Sequence, residues 1–275
     1  MKRDWVAYPY MGWMLVFVTV PLVLLLYNSV IIDSGSGTVR FTLEHFGRVL
    51  EPMYLSVIWR SIMLALVSTV ICLVLGYPMA MIIANSSLKT QYVLIILFII
   101  PMWMNFLART YAWMTLLEKT GLFSQFLRWL GLPVTGLLHT DFAVILGMVY
   151  NFLPFMIFPI YVVLRKMDKS LLEASRDLGA TPLMTFRRVV FPLSLSGVLS
   201  GVTLVFMPAV TTFAIPQLLG GGHYTMIGNL IEQQYLRAND WGFGSALSII
   251  LIVIILLSMA LIYKVDRKED GGLMI

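Results

Sequence analysis

The densest run of functional side chains is Asp168-Lys-Ser-Leu-Leu-Glu-Ala-Ser-Arg-Asp-Leu-Gly-Ala-Thr-Pro-Leu-Met-Thr-Phe-Arg-Arg-Val-Val-Phe-Pro192. Ser170 followed by Glu173 has the spacing of a capping box, in which the serine caps a first-turn amide and the glutamate reaches back. Gly179 suits the position after a helix end, where φ must be positive. Thr181-Pro182 restarts the chain as N-cap and first helical residue. The spacing predicts a short helix, a sharp turn at 179–181 and a second helix. Leu171, Leu172, Ala174, Ser175 and Leu178 give the first helix an apolar, small-residue face that the loop alone cannot bury. Faces of this kind mark partner sites, so the chemistry of the stretch is recognition.

Catalytic chemistry finds no comparable support. His45, His139 and His223 are far apart and nothing has metal-ligand spacing. No Ser/His/Asp constellation lies within the apolar runs, and neither catalytic residues nor a metal site are expected. The G-x-x-x-x-G-K-[ST] pattern of a phosphate-binding loop is absent, and no lysine follows Gly220-Gly221-Gly222. Cys72, the only cysteine, excludes an internal disulfide and reads as small core packing.

These residues must be positioned by membrane helices. Hydrophobic residues make up 59% of the 275, charged residues only 12%, and mean hydropathy is +0.88. Average soluble chains have about 45–50% and about 25%, so this one cannot cover a soluble surface. Charge-poor runs long enough for a bilayer fall at roughly 11–32, 58–84, 92–116, 142–164, 189–215 and 244–263, the third holding only Arg109. None alternates with period 2, which argues against a β-barrel. Lys2 and Arg3 precede the first run as in a signal peptide, but its length and the lack of an A-x-A-like site read as an uncleaved first helix. With both termini in the cytoplasm, 12 of the 19 Lys and Arg and 7 of the 14 acids lie inside, so the whole net +5 is internal. That is the positive-inside signal, and it needs no nucleic-acid partner.

The loop resembles that of permease subunits in binding-protein-dependent ABC importers, which carry Glu-Ala-Ala, three residues, Gly, nine residues, Ile-x-Leu-Pro. Here stand Glu173-Ala174-Ser175, Gly179 and Val189-x-Phe191-Pro192, with Ser175, Val189 and Phe191 as departures. The resemblance implies an all-α integral membrane protein of six transmembrane helices, the type I importer permease fold with a cytoplasmic coupling helix. It implies a 1–56 N-terminal helix and outer loop, a 57–264 permease domain and a 265–275 cytoplasmic tail. Glu173, Ala174, Ser175, Arg176, Asp177 and Gly179 would be the docking, rim and hinge positions against the ATP-binding subunit. ATP and Mg would sit on that subunit, with no cofactor on this chain.

Pro101-Met-Trp-Met-Asn-Phe-Leu-Ala-Arg-Thr-Tyr111, Leu75-Gly-Tyr-Pro-Met-Ala80, Leu172-Glu-Ala-Ser-Arg-Asp-Leu-Gly-Ala180 and Trp241-x-Phe-Gly-Ser-Ala246 narrow the resemblance to PotB-type permeases of spermidine/putrescine importers. Such a subunit works in the bacterial cytoplasmic membrane with a second permease (PotC-like), an ATPase dimer (PotA-like) and an extracytoplasmic polyamine-binding protein (PotD-like). A polyamine path calls for carboxylates and aromatic faces. Candidates are Trp103, Tyr111 and Trp113 on the third span, with Glu118 and Asp141 near its outer end and Glu232 and Asp240 before the sixth. Asn105 either faces the path or hydrogen-bonds a neighbouring helix. Arg109 is structural, snorkelling or pairing with Glu118 or Asp141, or else it gates. Pro101, Pro154, Pro159 and Pro208 predict kinks. Segment 216–231, with His223 and Tyr224, either re-enters the membrane or meets the binding protein. Iron, phosphate, sulfate/molybdate and thiamine importers share the coupling loop; a channel or an intramembrane enzyme is the alternative of another class.

Overall fold

The computed structural model describes residues 8–33, 39–131, 136–222 and 225–270. Lys2, Arg3, His223, Tyr224 and the last five residues of the expected 265–275 tail lie outside them. Helix α1 runs from Tyr8 to Ser29. A short ribbon follows, β1 (Ile31–Asp33) antiparallel to β2 (Val39–Phe41), then the short helix α2 (Glu44–Val49).

Helix α3 (Pro52–Asn85) opens with Pro52 in the first turn, where its missing N–H costs nothing. Its 34 residues span about 51 Å at 1.5 Å per residue, so it overshoots a ~30 Å hydrocarbon core. The third span is not the continuous helix expected over 92–116. It breaks into α4 (Leu88–Trp103) and α5 (Phe106–Leu117), bent by 94° and followed by the amphipathic α6 (Leu122–Trp129). The cause is local. Pro101 cannot donate to the turn before it, Met104 is extended, and the Asn105 side chain accepts from the amides of Leu107 (2.9 Å) and Ala108 (3.2 Å) to start a new helix.

Helix α7 (Asp141–Lys166) is capped by Thr140, whose hydroxyl accepts from the Ala143 amide. The short helix α8 (Lys169–Asp177) comes next. The second loop helix and the fifth span are one helical run, α9 (Pro182–Thr211), with a π-helical stretch at Phe186–Val190. Two short helices follow, α10 (Ala214–Leu219) and α11 (Ile227–Gln233), and Ile215, Leu219, Ile227 and the N-cap Met226 are completely buried. The last helix, α12, runs from Trp241 to Asp270. Thus five unbroken spans and one broken span are long and apolar enough to cross a membrane.

The core sits among α3, α7 and α9. Gly197 and Gly201, one turn apart on α9, let it close on α7. A Cβ at Gly201 would lie 2.7 Å from the Met156 Sδ, and one at Gly197 3.0 Å from the Pro159 carbonyl. Small residues at this spacing give close approach where water provides no drive between helices. Cys72 is fully buried there. Some core polar groups bond within their own helix, as hydrocarbon favours. The Thr69 hydroxyl donates to the Ala65 carbonyl and the Asn151 amide to the Gly147 carbonyl. Outward faces are apolar instead, as on α1 (Trp13, Phe17, Leu24) and α12 (Leu256, Leu257, Leu261).

Candidate functional site: coupling surface and outer cavity

At one end of the bundle, α8 projects with no buried residue. Its start differs from the expected capping box. Asp168, two residues before Ser170, is the N-cap, and its Oδ1 accepts from the Ser170 amide at 2.9 Å. Asp is as good a cap as Ser, and its placement leaves Glu173 free of a capping duty. The Ser170 amide holds the Asp168 carboxyl below the usual carboxylate range. The helix ends as anticipated. Gly179 has φ +76°, its amide donates to the Arg176 carbonyl and the Ala180 amide to the Ser175 carbonyl. This is a Schellman turn, closed at a position that favours glycine. Thr181 then caps α9 by accepting from the Met184 amide.

The two faces of α8 differ. Leu171, Ala174 and Leu178, at helical spacing, share the exposed outer one, Leu178 being 88% exposed, and Leu183 and Met184 at the start of α9 are exposed too. Glu173, Arg176 and Asp177 are exposed around that face. Ser175 turns inward, and its hydroxyl pairs with that of Thr185 at 2.8 Å. Leu172, Glu173 and Arg176 also roof a cavity of about 300 Å³ under the end of α3, beside Met81, Asn85 and Arg165.

At the opposite end, two of the four candidate acids are paired with arginines. Asp141 pairs with Arg60 at 2.6 Å, and Asp240 with Arg48 at 2.9 Å. Partial burial pushes Asp240 up, but the Phe243 amide and Arg48 outweigh it and hold the carboxyl below its ordinary range. The hydrogen bond to Asp240 in turn raises Arg48, whose guanidinium also lies 4.1 Å from the Phe243 ring centroid. Glu118 is exposed just past α5. Glu232 lines a cavity with polar walls. This cavity, about 190 Å³, is shared with Gln217, Thr225, Asn229, Gln233 and Arg237.

The third-span candidates separate across the break. Trp103 is 84% exposed at the end of α4. Tyr111 is half-exposed on α5, and Trp113 turns inward, edge-on to Tyr150 at 5.3 Å. Asn105 is exposed, and its side-chain oxygen caps α5. Arg109 pairs with neither Glu118 nor Asp141 among the described residues, and its Nε is buried without a hydrogen-bond partner. Also among the described residues, no three His, Cys, Asp or Glu gather as a metal site would need. Sequence reasoning missed Gln217, Gln233 and Arg237 in this cavity, because they come from α10, α11 and the π-helical turn after it (Gln234–Ala238), which only folding brings together.

Comparison with known proteins agrees with this geometry. Residues 73–270 match the family described as binding-protein-dependent transport system inner membrane component. The spermidine/putrescine transport system permease protein PotB of Escherichia coli K12 is 40% identical over 260 residues, covering 93% of this chain and 94% of that one. PotB of Haemophilus influenzae is 37% identical, covering 93% and 91%. The inner membrane ABC transporter permease protein YdcU of E. coli K12 is 32% identical, covering 85% and 79%. A bacterial alginate ABC transporter chain superposes with TM-score 0.81 at 17% identity, covering 97% of this chain and 96% of that one. An inward-facing MetNI methionine ABC transporter chain gives 0.60 at 18% identity, covering 80% and 98%. The chain belongs to the inner-membrane permease family of binding-protein-dependent ABC importers, and its multi-pass fold is the one that family uses.

Proposed function

We propose that this chain is one of two permease subunits of an ATP-driven polyamine importer moving spermidine or putrescine by alternating access. The observation that carries the reading is α8, a capped helix with no buried residue and an apolar outer face, at the end where the Lys/Arg excess lies. A cytoplasmic ATPase dimer supplies the missing partner for that face. Ala174 and Leu178 seat in its cleft, Glu173, Arg176 and Asp177 meet its rim, and Gly179 holds the turn, while Ser175 faces inward and ties α8 to α9. ATP and Mg are the ATPase's. Both termini lie in the cytoplasm, and residues 57–264 form the permease domain.

The polyamine cargo is supported by the PotB relatives, whose similarity spans 93% of this chain. A second permease, a PotA-like ATPase and a PotD-like binding protein complete the assembly. Glu232 is the carboxylate best placed to receive an ammonium from outside, since Asp141 and Asp240 are already paired with arginines. Trp103 and Tyr111, exposed on the broken span, offer aromatic faces to a cationic chain. The test is Glu173→Lys in the complete reconstituted complex. Loss of ATP-dependent spermidine uptake, with membrane insertion intact, is expected; normal uptake overturns the docking assignment.

A further inference from the structure

The motif Leu75-Gly-Tyr-Pro-Met-Ala80 lies on α3, away from both sites just described, and the roles assigned so far leave it unused. Gly76 and Ala80 are buried in the α3–α7–α9 core, where a Cβ at Gly76 would touch Met156 at 3.0 Å. Tyr77 between them reaches the start of α9. Its hydroxyl shares a 2.7 Å hydrogen bond with Ser194. Its ring lies 5.6 Å from Phe186, edge-on, and 5.8 Å from Phe191. Phe186 adjoins Thr185, which is the residue bonded to Ser175 of α8. A continuous packed route therefore leads from the inner face of α8, through the first turns of α9, to α3.

The end of α7, which leads directly into α8, reaches the end of α3 as well, through Gln91 of α4. Arg165, in the last turn of α7, donates to the Tyr161 hydroxyl at 2.8 Å, and that hydroxyl donates to the Gln91 Oε1 at 3.2 Å. The Gln91 Nε2 donates to the Ala84 and Ser86 carbonyls, at 3.2 and 2.9 Å. These are among the carbonyls that the end of α3 leaves without helical partners. Gln91 and Tyr161 are both buried. Polar groups with all their bonds made in a low-dielectric setting hold geometry firmly.

We propose that the cytoplasmic end of α3, from Tyr77 to Asn85, is the element that receives the stroke of the ATPase, with Tyr77 and Gln91 as its positioning residues. A loop hung only on α7 and α9 could flex at Met167 and at the Gly179 turn and waste the motion. Clamping both sides of the loop to one helix makes α8, the α9 start and the α3 end move together. This rests on the docking reading of α8.

The test uses the complete complex in proteoliposomes with spermidine-loaded binding protein, reading uptake and ATP hydrolysis together. Tyr77→Phe, Ser194→Ala and Gln91→Leu each lower the number of spermidines moved per ATP about ten-fold, while the ATPase still copurifies and hydrolyses ATP. Ser194→Thr, which keeps the hydroxyl, restores coupling, and the Tyr77→Phe/Ser194→Ala double variant is no worse than either single. An unchanged ratio in all three overturns the proposal. So does a parallel fall of uptake and hydrolysis, or loss of the ATPase from the complex, because a merely structural role gives those. Failure of the docking reading shows separately, as normal uptake by Glu173→Lys.

Discussion

Replacing Gly179 tests the turn that sets the angle of the coupling helix. Its φ is +76°, and an added Cβ would meet nothing within 4 Å. Any penalty inside this chain is therefore conformational. A side chain forced into the left-handed region costs about 1–2 kcal/mol, which shifts a local equilibrium about 5–30-fold. Asparagine tolerates this region, and a β-branched residue is a true outlier there. The expected order is Gly and Asn close together, then Ala, then Val. The assay is copurification of the ATPase with the tagged permease, alongside ATP-dependent spermidine uptake in proteoliposomes. Gly179→Val loses most of both, Gly179→Ala a part, and Gly179→Asn little. Full activity in Gly179→Val would refute the reasoning. So would Gly179→Asn failing as badly as Val, since side-chain bulk at the interface would then be the determinant.

Asn105→Ala removes the cap of α5 and lowers stability by about 1 kcal/mol; thermal unfolding in detergent reads the loss, Asn105→Asp restores it, and the KM for cargo stays unchanged. Gly201→Val sets new atoms against Met156, including its backbone carbonyl 3.2 Å from the first added carbon. Overpacking of that kind costs about 1–3 kcal/mol, seen as a lower melting temperature. The Arg48–Asp240 pair makes a small pH-dependent contribution, about 0–1 kcal/mol for a pair exposed by roughly a third. Because Asp240 is held below its ordinary value, that contribution is complete above the ordinary pKa of about 3.9 and is lost as pH falls through the lower folded value. Asp240→Asn abolishes it, which unfolding curves between pH 3 and 7 will show as a flatter acid limb.

Much of the fold was legible because charge is so scarce that its gaps mark the spans. The helix breaks were harder to place. Pro101 followed by Asn105 is a stop-and-start signal, but an apolar run on both sides hides it from a reading based on hydrophobicity. The α8 turn was legible at Gly179 and Thr181, where backbone geometry dictates residue type. Its start was not, because Asp168 and Ser170 are both good caps and only the chain path chooses between them. The arginine partners of two acids were illegible for a different reason. Arg48 and Arg60 lie 192 and 81 residues from Asp240 and Asp141, and no local pattern announces partners at that distance. Likewise Gln91 and Tyr161 are 70 residues apart, and no local pattern announces their hydrogen bond.

The most direct test of the central claim is ATP-dependent uptake of labelled spermidine by the complete complex in proteoliposomes, with unlabelled putrescine as competitor. Uptake that requires ATP and the binding protein, and that putrescine reduces, is the predicted result. ATP-driven transport that neither spermidine nor putrescine competes for would contradict the polyamine assignment, and uptake indifferent to ATP would contradict the importer itself.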